Sequence, residues 1–239
     1  MALPMNTMPT FNLTVPSTGK NVRFRPFVVK EEKALLIAQQ SEDSKVMIDT
    51  LKTVLGGCLL DKIDVDKLAI FDLEYMFLQI RGKSVGETVD LFFMCDTDHG
   101  EELNEKAKSK ITIQLSEVDV VRPEGHTNKI PLFNKVGVVM KYPTIDGANQ
   151  IENFDNVEEI FKLVANSIDM IYDGEDVYYS SETSEEEMMT FLNNLSTEQF
   201  LKIQKFFETM PKLSVKVEYK CPVCGKEHRK VLEGLANFF

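Results

Sequence analysis

Two turns carry the side chains best suited to chemistry: CDTDH at residues 95–99 and KCPVCGKEH at residues 220–228. Thiolate and imidazole are the preferred ligands of a borderline-soft ion such as zinc. A Cys-x-x-Cys turn aims two thiolates at one point, and Gly225 behind it permits the backbone conformation that turns amide N–H groups toward the sulfurs. Two thiols do not complete a four-ligand shell, so further donors must come from elsewhere. The stretch ETVDLFFMCDTDHGEEL, residues 87–103, resembles LSVKVEYKCPVCGKEHRK, residues 213–230. In each, an alternating strand runs into a cysteine, and a short turn with a second donor follows. Together they offer Cys95, His99, Cys221 and Cys224, a Cys3His set that fits one structural zinc ion. His228 is a competing ligand, because Cys-x-x-Cys-x3-His also reaches a single metal. The other reading is a tight β-turn with idle thiols and no metal. A thioredoxin-like redox role is disfavoured, since that motif opens a helix and here strands flank it on both sides.

Other catalytic signatures are missing. The chain has no Gly-x-Gly-x-x-Gly, no Gly-x4-Gly-Lys-Ser/Thr and no His-Glu-x-x-His. Of the 3 histidines, two adjoin the cysteine turns and the third, His126, sits in RPEGHTNK. Carboxylate groups such as Asp64 with Asp66, or Glu185 to Glu187, read as helix-cap and surface charges. The expectation is a protein that is not an enzyme. Cys58, between Gly56-Gly57 and Leu59-Leu60, reads as a small buried hydrophobe.

The elements that must position the turns are legible as changes of period. FNLTVPSTGKNVRFRPF, residues 11–27, alternates on either side of Ser17, Thr18 and Gly19 and predicts a hairpin. Residues 30–40, 43–55 and 70–80 place apolar side chains three and four apart and predict helices, the second stopped by Gly56-Gly57. From residue 86 the period becomes two: ETVDLFFMC, KITIQLSEVDVV, KIPL and KVGVVMKY predict strands. Helical spacing returns over residues 156–168, 184–195 and 197–210, with Ser184 and Thr197 as N-caps. A hairpin or irregular turn is expected around Asp173-Gly174. After Pro211 an alternating strand leads into the Cys-x-x-Cys turn and HRKVL leads out. The expected fold is α+β: an N-terminal hairpin and helices, a central antiparallel β region, then C-terminal helices and a zinc-ribbon-like β-hairpin knuckle. As segments these are residues 1–85, 86–145, 146–210 and 211–239, forming one or two interwoven domains. The LEGLANFF ending either packs on its own core or docks a partner. The stripe Met188, Met189, Phe191, Leu192, Phe200, Ile203, Phe206 and Phe207 is core, or a groove for a helical client.

Composition narrows the class. The chain has 239 residues, net charge -11 and 43% hydrophobic residues, the balance of a folded protein. The acidic excess argues against nucleic acid, whose phosphates require a basic surface. No secretory leader or membrane-length apolar run is evident, so a soluble protein of a reducing cytoplasm is expected, without a membrane partner.

Several blocks carry a family resemblance: FDLEYMFLQIRGKSVGETVDLFFMC (residues 71–95), KITIQLSEVDVV, VGVVMKYPT, and FFETMPKLSVKVEYKCPVCGKEHRKVLEGLANFF at the C-terminus. In this order they resemble the baseplate hub and hub-assembly proteins of T-even-like contractile-tailed bacteriophages. The resemblance implies a non-enzymatic protein that builds the central hub of the tail baseplate, as a subunit or as a chaperone-like assembly factor. It implies other hub proteins and the tape-measure protein as partners, and location in the host cytoplasm during assembly or in the baseplate of the virion. The family's cysteine turns map to Cys221 and Cys224 and to Cys95, where this chain departs by offering His99 in place of a second cysteine. The alternative is a cytoplasmic zinc-ribbon adaptor that binds protein or nucleic acid.

Overall fold

A computed structural model of the chain describes residues 7–41, 43–149 and 156–238. Residues 1–6 and Phe239 of the tail lie outside the described residues. The order begins with the strands β1 (Phe11–Thr14) and β2 (Asn21–Phe24), then the helices α1 (Val29–Ser41), α2 (Ser44–Cys58) and α3 (Ile70–Ser84). Next come β3 (Thr88–Phe93), a single helical turn α4 (Glu101–Asn104), β4 (Ser109–Gln114), β5 (Asp119–Val121), β6 (Lys129–Phe133) and β7 (Val136–Met140). The chain continues through α5 (Ile145–Asn149), α6 (Val157–Asn166), β8 (Ile168–Asp173), β9 (Asp176–Tyr179), α7 (Glu185–Asn193) and α8 (Thr197–Glu208). It closes with β10 (Lys212–Lys220), β11 (Glu227–Glu233) and a 3-10 turn at Leu235–Phe238. The architecture is α+β, and every strand pairing is antiparallel.

These elements gather into two compact units made of non-consecutive segments. One comprises Met1–Val65, Phe71–Val121 and Lys212–Phe239; the other comprises Asp66–Ile70 and Arg122–Pro211. The stretch 86–145 is therefore shared between the units, and its strands enter three sheets: β3-β4, β11-β10-β5 and β6-β7-β8-β9. KITIQLSEVDVV is not one strand. A 3-10 turn at Leu115–Glu117 breaks it into β4 and β5, because Leu115 is buried and its N–H donates to the Glu87 carbonyl (2.8 Å).

In the first unit, Val15, Val22, Phe24, Leu55, Met76, Leu78, Ile80 and Leu213 are buried, with Cys58 among them. Helix α2 does not stop at Gly56-Gly57 but runs to Cys58, where the Leu59 N–H closes the last turn on Leu55 O. Glycine inside a helix costs about 1 kcal/mol, which the burial of Leu55 and Cys58 on either side outweighs. The tail packs inward, with Leu235 and Phe238 both buried.

In the second unit, α8 packs on β6 and α6 on β8. The apolar stripe of α7 and α8 is core: Met188, Leu192, Ile203 and Phe206 are buried with Val138 and Ile168, and Met189, Phe191, Phe200 and Phe207 pack against them. The core reading holds for Met188, Leu192, Ile203 and Phe206, while the other four side chains of the stripe are partly buried. Ser184 caps α7, whereas α8 is capped by Ser196 rather than Thr197. Both caps are reciprocal boxes with the third helical residue, Glu187 and Gln199. The Asp173-Gly174 turn is a hairpin joining β8 to β9, with Gly174 at φ 62°.

Candidate metal centre

Strand β3 ends at Phe93, with Met94 alone between it and Cys95, and β10 ends immediately before Cys221. Both turns belong to the first unit. The Ser109 hydroxyl of β4 donates to the Lys220 carbonyl (2.9 Å), tying one hairpin to the other just before the second cysteine turn. That turn is closed by paired backbone bonds: Gly225 N–H to Cys221 O and Cys221 N–H to Lys226 O, both 2.9 Å. Gly225 adopts φ 71°, the left-handed conformation expected of it. In the first turn, Asn104 receives the His99 N–H on Oδ1 (3.0 Å) and donates through Nδ2 to Asp98 (3.0 Å), which also accepts the Gly100 N–H.

The result brings together the ligand atoms of Cys95, His99, Cys221 and Cys224, all within 4.8 Å of one another. Cys95 Sγ lies 3.9 Å from Cys224 Sγ, and Cys221 Sγ lies 3.5 Å from His99 Nε2. Amide N–H groups reach two sulfurs, Thr97 to Cys95 and Val223 to Cys221, each at 3.4 Å. His228, the competing ligand, stands outside the mutual group but against it. Its Nε2 is 3.4 Å from Cys95 Sγ and its Nδ1 is 3.2 Å from Asp96 Oδ2.

The protonation of the thiols follows from these contacts. Cys95 is pulled down to about 5 by the Thr97 amide and, against some burial, by His99, His228 and Cys221. Burial pushes Cys221 up, but the amides of Cys224 and Val223 outweigh it and leave this thiol lowered. The Lys226 amide draws Cys224 down, yet burial and the neighbouring Cys221 and Cys95 leave it raised. His99 is raised, chiefly by its bond to Cys95. Packed thiols compete for negative charge, and a bound cation relieves that competition. Three thiols and an imidazole converging in this way could hold a metal ion. Asp96 and Tyr219, which surround His228, have no sequence signal beyond their places beside Cys95 and in an alternating strand.

The other histidine is placed differently. His126 lies in the second unit, between Thr209 Oγ1 (3.0 Å from Nδ1) and Tyr142 Oη (3.1 Å from Nε2), and packs on the Phe206 ring. Burial lowers its pKa.

An α+β chain with a bipartite cysteine-histidine cluster is one class of protein; its family is narrower. The family model described as T4 bacteriophage base plate protein matches residues 8–239, and the chain belongs to that family. It is a phage tail baseplate protein, and its partners are other baseplate components. Neither the curated proteins nor the solved structures compared with the chain contain a match. Among the described residues, no helix is long and apolar enough to cross a membrane.

Proposed function

We propose that this protein is a non-enzymatic component of the central hub of the baseplate, acting as a hub subunit or as a chaperone-like factor during hub assembly. Family membership over residues 8–239 supports the baseplate part of this reading, and the resemblance of the sequence blocks to hub proteins supports the rest. Its assembly partners are other hub proteins and the tape-measure protein, met in the host cytoplasm before the tail is complete. A net charge of -11 supports such a role by keeping the free protein dispersed while it waits for partners. Infection with phage lacking the gene tests this. The hub reading expects outer baseplate parts to accumulate without assembled hubs. Normal hubs in that infection contradict it. Mass spectrometry of purified tails then separates the roles, with a subunit present in fixed copy number and an assembly factor absent.

One structural zinc ion, held by Cys95, His99, Cys221 and Cys224, completes the proposal. A tetrahedral zinc with Zn–S ~2.3 Å and Zn–N ~2.0–2.1 Å sets sulfur–sulfur edges at roughly 3.8 Å and sulfur–nitrogen edges at roughly 3.6 Å. The separations of 3.9 Å and 3.5 Å match those edges. The ion would supply no reactive site here; it would cross-link the β3-β4 hairpin to the β10-β11 hairpin. The zinc-ribbon adaptor reading shares this ion but gains no support from a basic surface.

A further inference from the structure

The two edges of the β6-β7-β8-β9 sheet are built differently. Strand β6 carries Pro131, which has no N–H to offer an added strand and so blunts its edge. Strand β9 has no such block: all four of its residues are exposed, and among the described residues no strand pairs with its outer side. The phase of its ladder follows from the Ser180 N–H, which donates to the Asp169 carbonyl (2.9 Å). Counted back by twos along the antiparallel register, Tyr178 and Asp176 bond to β8, so Val177 and Tyr179 turn their backbone groups outward. The Tyr179 carbonyl accepts the Glu182 N–H (3.0 Å) and the Thr183 hydroxyl (2.9 Å), which ends the strand. The Val177 N–H and C=O and the Tyr179 N–H are left facing outward. The side chains along this edge are large and apolar in body. Val177 and Tyr179 stand beside Tyr172 and Met170 on one face, and Tyr178 stands beside buried Ile171 on the other. Tyrosine is a residue that protein interfaces favour.

We infer that the outer edge of β9 is a docking site for a basic, extended segment of another baseplate component, which joins the sheet as a fifth strand. The inference rests on membership of the baseplate family and on neither the hub reading nor the metal reading. Charge selects the occupant. From Asp173 to Glu187 the chain has seven acidic residues, all exposed, and no basic one. A second copy is disfavoured, because antiparallel pairing of two β9 strands would set the Asp173–Asp176 tip of each against the acidic segment that follows β9 in the other. A strand bearing lysine or arginine meets the same field attractively. Main-chain hydrogen bonds to Val177 and Tyr179 supply the affinity of such strand addition, and contacts with Tyr178 and Tyr179 supply its selectivity.

The test places the photo-crosslinker benzoylphenylalanine at position 178 of the full chain, irradiates infected cells and maps the crosslinked peptides by mass spectrometry. Three forms are compared: one otherwise native, one with Val177→Pro, and one with Asp173→Asn, Glu175→Gln and Asp176→Asn together. Val177→Pro removes an outward donor and leaves the bonds to β8 in place, which unchanged amide exchange in β7 and β8 of the purified protein verifies. The neutralised form alters exposed side chains alone and keeps the backbone edge. The native form is expected to crosslink to a lysine- or arginine-rich segment of another baseplate component. The yield should fall about tenfold in Val177→Pro and about threefold in the neutralised form. Crosslinks to a second copy, to an acidic segment, to a protein outside the baseplate, or none above an unirradiated control overturn the inference. Full yield in Val177→Pro also overturns it, because a partner that only touches the side chains does not need the outward N–H. A crosslinked component that belongs to the baseplate but not to its hub supports the docking edge and contradicts the hub reading.

Discussion

At the scale of single residues, Glu74 shows how burial sets a charge in this protein. Its Oε1 accepts the Leu235 N–H (3.0 Å), the bond that begins the packed C-terminal turn. Burial raises its pKa, and the Leu235 amide only partly offsets this. A carboxyl with a raised folded-state pKa stabilises the fold fully below its unfolded value, and that contribution is lost as pH rises through the raised value. Glu74→Gln keeps an acceptor for Leu235 and removes the buried charge. Urea melts of the two proteins should agree at acidic pH and diverge above the ordinary glutamate range, with Glu74→Gln the more stable at neutral pH. Parallel pH profiles would refute this. The four residues of the cluster were legible because cysteine and histidine are rare in this chain and their two turns resemble each other. Asp96 was not, since one aspartate among 38 acidic residues has no local mark of its contact with His228, on a strand more than a hundred residues away.

At the scale of elements, local rules located most helices and strands, and tertiary contacts decided their ends. Gly56-Gly57 is a strong stop signal that the surrounding core overrides, whereas the reciprocal bond with Gln199 made Ser196 the cap in preference to its neighbour. Replacing Ser196 with Ala should cost about 1 kcal/mol in a chemical melt, and Ser196→Asp should restore most of it. A loss within error for Ser196→Ala would contradict the cap assignment. Gly137 in β7 has a different requirement. A Cβ there would overlap the end of the Tyr172 side chain and lie 2.5 Å from the Ile130 carbonyl oxygen, so the Tyr172 ring would have to swing away and the β6 backbone would have to shift. Gly137→Ala should destabilise the second unit by roughly 3 kcal/mol. Tyr172→Ala in the same background relieves the side-chain clash but not the backbone one, so it should recover only part of the loss. Full recovery would show that the backbone contact is not limiting.

At the scale of the whole molecule, the pairing of β5 with β10 brings residues 119–121 and 212–214 together within the first unit, and the chain between them supplies most of the second. Period and turn chemistry report neighbours along the chain, so the interleaving had no signature in the sequence although the α+β class did. All four residues proposed to hold the metal lie in the first unit. Chelation should therefore speed amide hydrogen exchange in β3, β4, β10 and β11 while leaving β6 to β9 unchanged. At a free metal level 1,000 times Kd, the stabilisation lost would be about 4 kcal/mol. Exchange that accelerates equally in β6 to β9 would contradict a metal that supports the first unit alone.

The most direct test of the central claim is the zinc content of the purified protein, measured by elemental analysis beside a Cys221→Ser, Cys224→Ser variant, with thermal melts of both. The account predicts one zinc per chain in the native protein, and loss of the metal together with a lower melting temperature in the variant. A native protein free of zinc, with a variant that melts at the same temperature, would contradict it and leave the two cysteine turns as packing alone.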